Sequence, residues 1–273
     1  MKSRIRTALI LLPPVIYLIG WAPEWLFLLA LLATVERGLY EYFHLSRQAG
    51  FKGFPTVGYV AGAAVCLVQT TAVRRTGELS LVVLVLIILL TAAFALGRTS
   101  DLKQYLGAVA TTILGVLYVA FTLCWLLPLR FSAPATGQKV ILFLFLVIWA
   151  GDICAFFVGR SVGRHLLSPR VSPKKTVEGG LAGLVGSLLV AWAFAHWFWR
   201  TADLKTVFLL ATLVAVAGQV GDLVESALKR GADLKDSAAL LPGHGGLLDR
   251  MDSLLFGVPV LWVALAIKDL WPW

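Results

Sequence analysis

A chain of 273 residues is long enough for one or two soluble domains, but 59% hydrophobic and 14% charged residues, with a mean hydropathy of +0.85, exclude that class. Soluble domains carry about 45–50% apolar and about 25% charged residues. The net charge of +9 is scattered through short segments with no basic arm, which argues against nucleic acid and for a positive-inside membrane protein touching anionic headgroups.

Runs near the roughly 20 residues that cross a bilayer as a helix recur along the chain. They predict an all-α polytopic membrane protein with about nine transmembrane helices, near 7–21, 24–43, 55–73, 79–97, 105–129, 138–160, 178–199, 204–229 and 251–270. Lys2, Arg4 and Arg6 ahead of the first run resemble a signal peptide. Pro13-Pro14 interrupts that run and no small-x-small cleavage site follows, so it reads as a retained span. With the N-terminus cytoplasmic, sixteen Lys and Arg fall in cytoplasmic segments and seven outside, the asymmetry expected of an N-inside, C-outside chain. Two regions follow: 1–135, with about five spans, and 136–273, with about four spans and two basic cytoplasmic loops. Trp25, Trp197, Trp199, Trp271 and Trp273 near span ends read as interfacial anchors. Cys66, Cys124 and Cys154 lie in separate apolar runs without CxxC or Cys/His spacing, so they read as small packing residues.

Polar chemistry enters late. Asp152, among Ile148, Trp149, Ile153 and Phe157 in span six, needs a partner and serves either packing or function. The next loop, 160–180, carries the turn signals Ser168-Pro169 and Ser172-Pro173, then Lys174, Lys175 and Thr176 at the mouth of span seven. These basic groups suit either lipid headgroups or a triphosphate. Glu178 suits the helix dipole. His165 and His196 show no metal spacing, and Glu36, Glu41 and His44 form no recognisable site; solvated or packing roles are expected for these three.

The densest cluster is 221–253, with six of the fifteen carboxylates. Asp222, Glu225, Ser226 and Lys229 fall at i, i+3, i+4 and i+7 on one face of span eight. Lipid offers such a stripe no partner, so it faces protein or water. One reading is a Glu225–Lys229 bridge that locks helices. The other comes from the following loop, where Lys235, Asp236 and Ser237 precede Leu241-Pro242-Gly243-His244-Gly245-Gly246, and Asp249 and Asp252 open span nine. Glycines let amides approach an anion, yet acids beside them repel phosphate. Both signs make sense together if one or two divalent ions bridge carboxylate and phosphate.

The run Ser226 to Asp252, SALKRGADLKDSAALLPGHGGLLDRMD, resembles the signature of the phosphatidate cytidylyltransferase (CDP-diacylglycerol synthase) family. Ser226, Lys229, Arg230, Lys235, Asp236, Pro242, His244, Gly245, Gly246, Asp249, Arg250 and Asp252 occupy its defining places. Upstream, WAGDICAFFVGRSVGRHLLSPRVSPKKTVEG resembles the family's acid-bearing helix and SPKKTxEG loop, with Val177 where many members have tryptophan. Ile153-Cys154-Ala155-Phe156 likewise replaces a more usual Thr-Gly-Ala-Tyr. The resemblance covers roughly 145–255.

It implies an integral enzyme of the cell (inner) membrane that joins CTP and phosphatidic acid into CDP-diacylglycerol and pyrophosphate. The site would face the cytosol, with Mg2+ and room for a second metal ion. Asp222 and Asp249 are the expected metal ligands and catalytic groups, with Lys229, Arg230, His244 and Asp252. Lys175, Thr176, Ser226, Lys235, Asp236, Gly245, Gly246, Arg250 and Asp152 are expected to contact substrate. A homodimer is also implied. The competing expectations are a CTP-dependent lipid or polyprenol kinase, which would release CDP, and an ion-coupled transporter, which would carry acids through the bilayer middle. The absence of a DGxxAR…GxxxD…D run disfavours a CDP-alcohol phosphatidyltransferase.

Overall fold

The structure is a computed structural model that describes residues 12–70, 78–133, 136–238 and 245–269. It comprises two compact units, 1–132 with 228–251 and 133–227 with 252–273. The described residues are helical apart from turns and one short hairpin. In chain order they form α1 (12–20), α2 (Glu24–Gln48), α3 (Pro55–Val68), α4 (Glu78–Arg98) and α5 (Leu102–Gly115). A π-helical turn, Val116–Phe121, leads to α6 (Leu126–Phe131) and α7 (Gly137–Val162). Strands β1 (Leu166–Ser168) and β2 (Ser172–Thr176) precede α8 (Val177–Trp197), α9 (Leu204–Gly231) and α10 (Leu248–Asp269).

Among the described residues, six helical segments are long and apolar enough to cross a membrane: Leu79–Arg98, Leu102–Phe131, Gly137–Val162, Val177–Trp197, Leu204–Gly231 and Leu248–Ile267. They match six of the expected spans. The expected second span is α2, which carries Glu36, Arg37 and Glu41 in its second half. The third is α3, whose 14 residues reach only about 21 Å at 1.5 Å per residue. The first expected span lies partly outside the described residues.

In the first unit α2 packs on α3 and on the π-helical turn. Apolar helices gain little from one another by burial in lipid, so close packing and internal hydrogen bonds carry the association. A Cβ on Gly62 would stand 2.7 Å from Leu39, and one on Gly38 would stand 2.8 Å from Val119. The Tyr42 hydroxyl donates to the Thr111 carbonyl at 3.1 Å, and the Phe54 amide donates to Thr112 Oγ1 at 2.8 Å. Arg130 is buried; its guanidinium donates to the carbonyls of Ile19 (2.6 Å) and Gly20 (3.2 Å), satisfying the carboxyl end of α1.

The second unit is organised by a small-residue seam between α7 and α8. Gly151 lies against Ser187 and Gly183, Gly159 against Gly179, and Gly186 against Cys154. The Ser187 hydroxyl donates across the seam to the Val147 carbonyl at 2.8 Å. Gln219 Nε2 on α9 donates to the Gly180 carbonyl at 3.0 Å. Gly221 lies against the Asp252 carbonyl and the Phe256 side chain, which brings α9 and α10 close beside Asp222.

The hairpin is the one element that the sequence reading took as plain loop. Leu166 pairs with Thr176 and Ser168 with Ser172, antiparallel and with an irregularity between them. Pro169 and Pro173, poor strand residues, obscure it in the sequence. Glu178 does more than suit a dipole: it accepts from the Arg164 and His165 amides and contacts His165 Nδ1 at 2.6 Å, pinning the hairpin to α8. Thr176 accepts from the Gly179 amide at 3.1 Å and so caps α8.

Candidate active site

Two aspartate–lysine pairs stand out, one in each unit. In the first unit α9 ends with Asp233 in the left-handed region (φ 55°), and the Leu234 amide donates to the Lys229 carbonyl at 2.9 Å. That turn sends the chain back over the end of α9. Lys229 Nζ lies 2.6 Å from Asp249 Oδ1, with side-chain exposures of 13% and 5%. The other carboxylate oxygen, Oδ2, accepts from the Ser237 amide (3.0 Å), the Ser237 hydroxyl (3.0 Å) and the Gly246 amide (2.7 Å).

The glycines of this loop are required for two different reasons. Gly245 has φ +74°, a conformation side chains disfavour. Gly246 has no room, since a Cβ there would fall on the Ser237 hydroxyl and the Glu41 carboxylate. The anions held by these amides are the protein's own carboxylates. Gly246 serves Asp249, while Leu247 and Leu248 at the start of α10 donate to Glu41 at 3.0 and 2.8 Å.

Glu41 was the residue sequence reasoning passed over. It is fully buried, accepts from the Ser237 hydroxyl at 2.8 Å and pairs with Arg37 at 3.1 Å. Its position, 196 residues from Ser237, gives no local motif; the available signal was an acid one turn after Arg37 in an apolar helix.

In the second unit Asp222 Oδ2 meets Lys175 Nζ, carried by β2, at 2.5 Å, with exposures of 28% for the lysine and 30% for the aspartate. Ser226, one turn along α9, donates to Asp222 Oδ1 at 3.4 Å. Asp152 lies on an exposed part of α7. The Ser253 amide donates to Asp252 Oδ1 at 2.7 Å. In the first unit, Lys235, Asp236 and Arg250 are exposed, and Arg230 donates to the Leu234 carbonyl at 3.3 Å. Glu225 is fully buried in α9. His244 lies outside the described residues, as do Leu241, Pro242 and Gly243.

Among the described residues no three His, Cys, Asp or Glu side chains converge into a ready cage. Magnesium does not need one, since it is commonly held by one or two carboxylates, water and substrate phosphates. Asp222 and Asp249 supply hard oxygen donors, and each already faces an ammonium group. Taken by itself, each aspartate is the kind of hard oxygen donor that such an ion takes.

A profile of the family described as "Cytidylyltransferase family" matches residues 2–268. The chain belongs to the Cytidylyltransferase family. Similar curated proteins are named phosphatidate cytidylyltransferase. That of Bacillus subtilis (strain 168) is 42% identical over 154 residues, 56% of this chain and 57% of the relative. That of Staphylococcus saprophyticus is 39% identical over 156 residues, 57% and 58% of the two chains. That of Staphylococcus haemolyticus is 41% identical over 135 residues, 50% and 52%. The chain thus spans just over half the length of the curated relatives it matches. For this cytidylyltransferase-family member, the matches agree with the family read from the motifs.

Proposed function

We propose that this protein transfers the cytidylyl group of CTP to phosphatidic acid, yielding CDP-diacylglycerol and pyrophosphate. The family match over 2–268 carries the reaction class. The lipid acceptor follows from the names of the relatives. In the reaction a phosphatidate oxygen attacks the α-phosphorus of CTP in line, the new P–O bond forms, and the bond to the β-phosphate bridging oxygen breaks. Pyrophosphate carries that electron pair away. The acceptor phosphate, with a second pKa of about 6, is already ionised near neutral pH, so no general base is required.

Asp222 and Asp249 would hold Mg2+, and the same carboxylate chemistry would serve a second ion. When bound, the metal supplies charge neutralisation between carboxylate and phosphate oxygens. Lys175 and Lys229, paired with those carboxylates, would neutralise phosphate charge as it shifts toward the leaving group. Arg230, Lys235, His244 and Arg250 would add to this clamp, and Asp252 and Asp236 would act behind the ligands. Thr176 and Ser226 contribute by holding α8 and Asp222. Positioning and electrostatics of this kind supply most of the catalysis in phosphoryl-type transfer.

The same reading places the enzyme in the cell membrane with nine spans, a cytoplasmic N-terminus, a cytosol-facing site and a homodimeric assembly. A single cysteine at Arg164, in a background lacking Cys66, Cys124 and Cys154, should react with an impermeant thiol reagent only from the cytosolic side. Crosslinking in native membranes should trap a dimer. The reaction itself is tested with purified protein in micelles containing CTP, phosphatidic acid and Mg2+. Pyrophosphate and CDP-lipid are expected; CDP with a newly phosphorylated lipid would indicate a kinase instead.

A further inference from the structure

Glu41 and Asp249 are a matched pair of buried carboxylates, 0% and 7% exposed, bridged by one hydroxyl. Among the described residues, Arg37 stands at Glu41 and Lys229 at Asp249. Each carboxylate receives two backbone amides: Leu247 and Leu248 at Glu41, Ser237 and Gly246 at Asp249. The Ser237 hydroxyl lies 2.8 Å from Glu41 Oε2 and 3.0 Å from Asp249 Oδ2. A hydroxyl has a single proton to donate, so the two carboxylates share it.

We propose that Glu41 is a positioning residue for Asp249, a distant α2 carboxylate that holds Ser237 and the first turn of α10 so that Asp249 presents only Oδ1. Asp249 Oδ2 accepts from the Ser237 and Gly246 amides and shares the Ser237 hydroxyl with Glu41, which also accepts from the amides of residues 247 and 248 and so fastens them to α2. Without Glu41 the amides of Leu247 and Leu248 lose their acceptor in a buried place, a cost that buried polar groups avoid by rearranging. The rearrangement available is rotation of the loop, and with it of the Asp249 carboxylate. The Gly246 backbone packs directly on Ser237 and Glu41, since any side chain there would strike both.

The proposal deepens the reading of Asp249 as a reacting-site ligand, and it is tested with two readouts. In Glu41→Gln, a near-isostere, one acceptor oxygen becomes a donor facing backbone amides. The kcat for CDP-lipid formation should fall about 10- to 100-fold, the scale for groups that orient a ligand, with KM for CTP changed less than about threefold. Hydrogen exchange of the amides at 245–249 should quicken, with α7 and α8 unchanged. Ser237→Ala, which removes only the shared hydroxyl, should give a smaller loss in the same direction and serves if Glu41→Gln does not fold. Unchanged kcat and unchanged exchange in a folded variant would overturn the proposal; equal loss of exchange protection in α7 and α8 would reduce Glu41 to general stability and overturn it as well. If wild-type protein forms no CDP-lipid, the reaction reading fails, while the exchange readout still decides whether Glu41 holds the loop.

Discussion

The two aspartate–lysine pairs use the same chemistry in opposite surroundings. Asp249 and Lys229 are sealed, at 5% and 13% side-chain exposure, and Asp249 accepts from two backbone amides and shares the Ser237 hydroxyl; Asp222 and Lys175 are each nearly one-third open along their side chains, with Ser226 one helical turn away at 3.4 Å. A buried pair is fixed in place, but removing one member strands the other in a poor dielectric. The second pair is looser along its side chains, although the Lys175 ammonium nitrogen itself is buried against Asp222. The proposed roles differ accordingly: Asp249 would set a fixed point, and Asp222 would adjust to substrate.

Substitutions should separate these roles. Asp249→Asn is expected to have the largest effect: a loss of about 10²-fold or more in kcat, with destabilisation of about 3–5 kcal/mol from the stranded Lys229, read by thermal unfolding in micelles. Asp222→Asn should cost a comparable factor in kcat with a smaller loss of stability, since the Asp222 side chain is 30% exposed against 5% for Asp249. Equal stability losses in the two variants would erase the distinction. Gly246→Ala should destabilise by about 1–3 kcal/mol, by overpacking against Ser237 and Glu41, and should lower activity along with Asp249 alignment. The smallest change is expected for Thr176→Ala, which removes the cap of α8 for about 1 kcal/mol and loosens the β2 segment that carries Lys175. That variant should raise KM for CTP more than it lowers kcat.

Much of this was legible in the residues. The apolar runs located six helices that the structure also has, because a 20-residue apolar stretch has few folded alternatives. The spacing of Asp222 and Ser226 placed them one turn apart, and they do meet. What stayed hidden needed the third dimension. Glu41 looked like a polar residue near a helix end, because its donors come from residues 237, 247 and 248. The glycine-rich loop and its acids read together as a metal and phosphate site, but spacing alone gives no sign that the described amides of Gly246 and Leu248 hold Asp249 and Glu41. The π-helical turn at Val116–Phe121 lies in an ordinary apolar sequence with no marker. Tertiary packing against α2 and α3 selects it.

The account stands most directly on the fate of the phosphorus atoms of CTP. With CTP labelled at the α-phosphorus, phosphatidic acid and Mg2+, the purified protein should place the label in the lipid product. With the label at the γ-phosphorus it should appear in pyrophosphate, and Asp249→Asn should suppress both. Transfer of the γ-label to lipid, or incorporation of the α-label undiminished by Asp249→Asn, would contradict it.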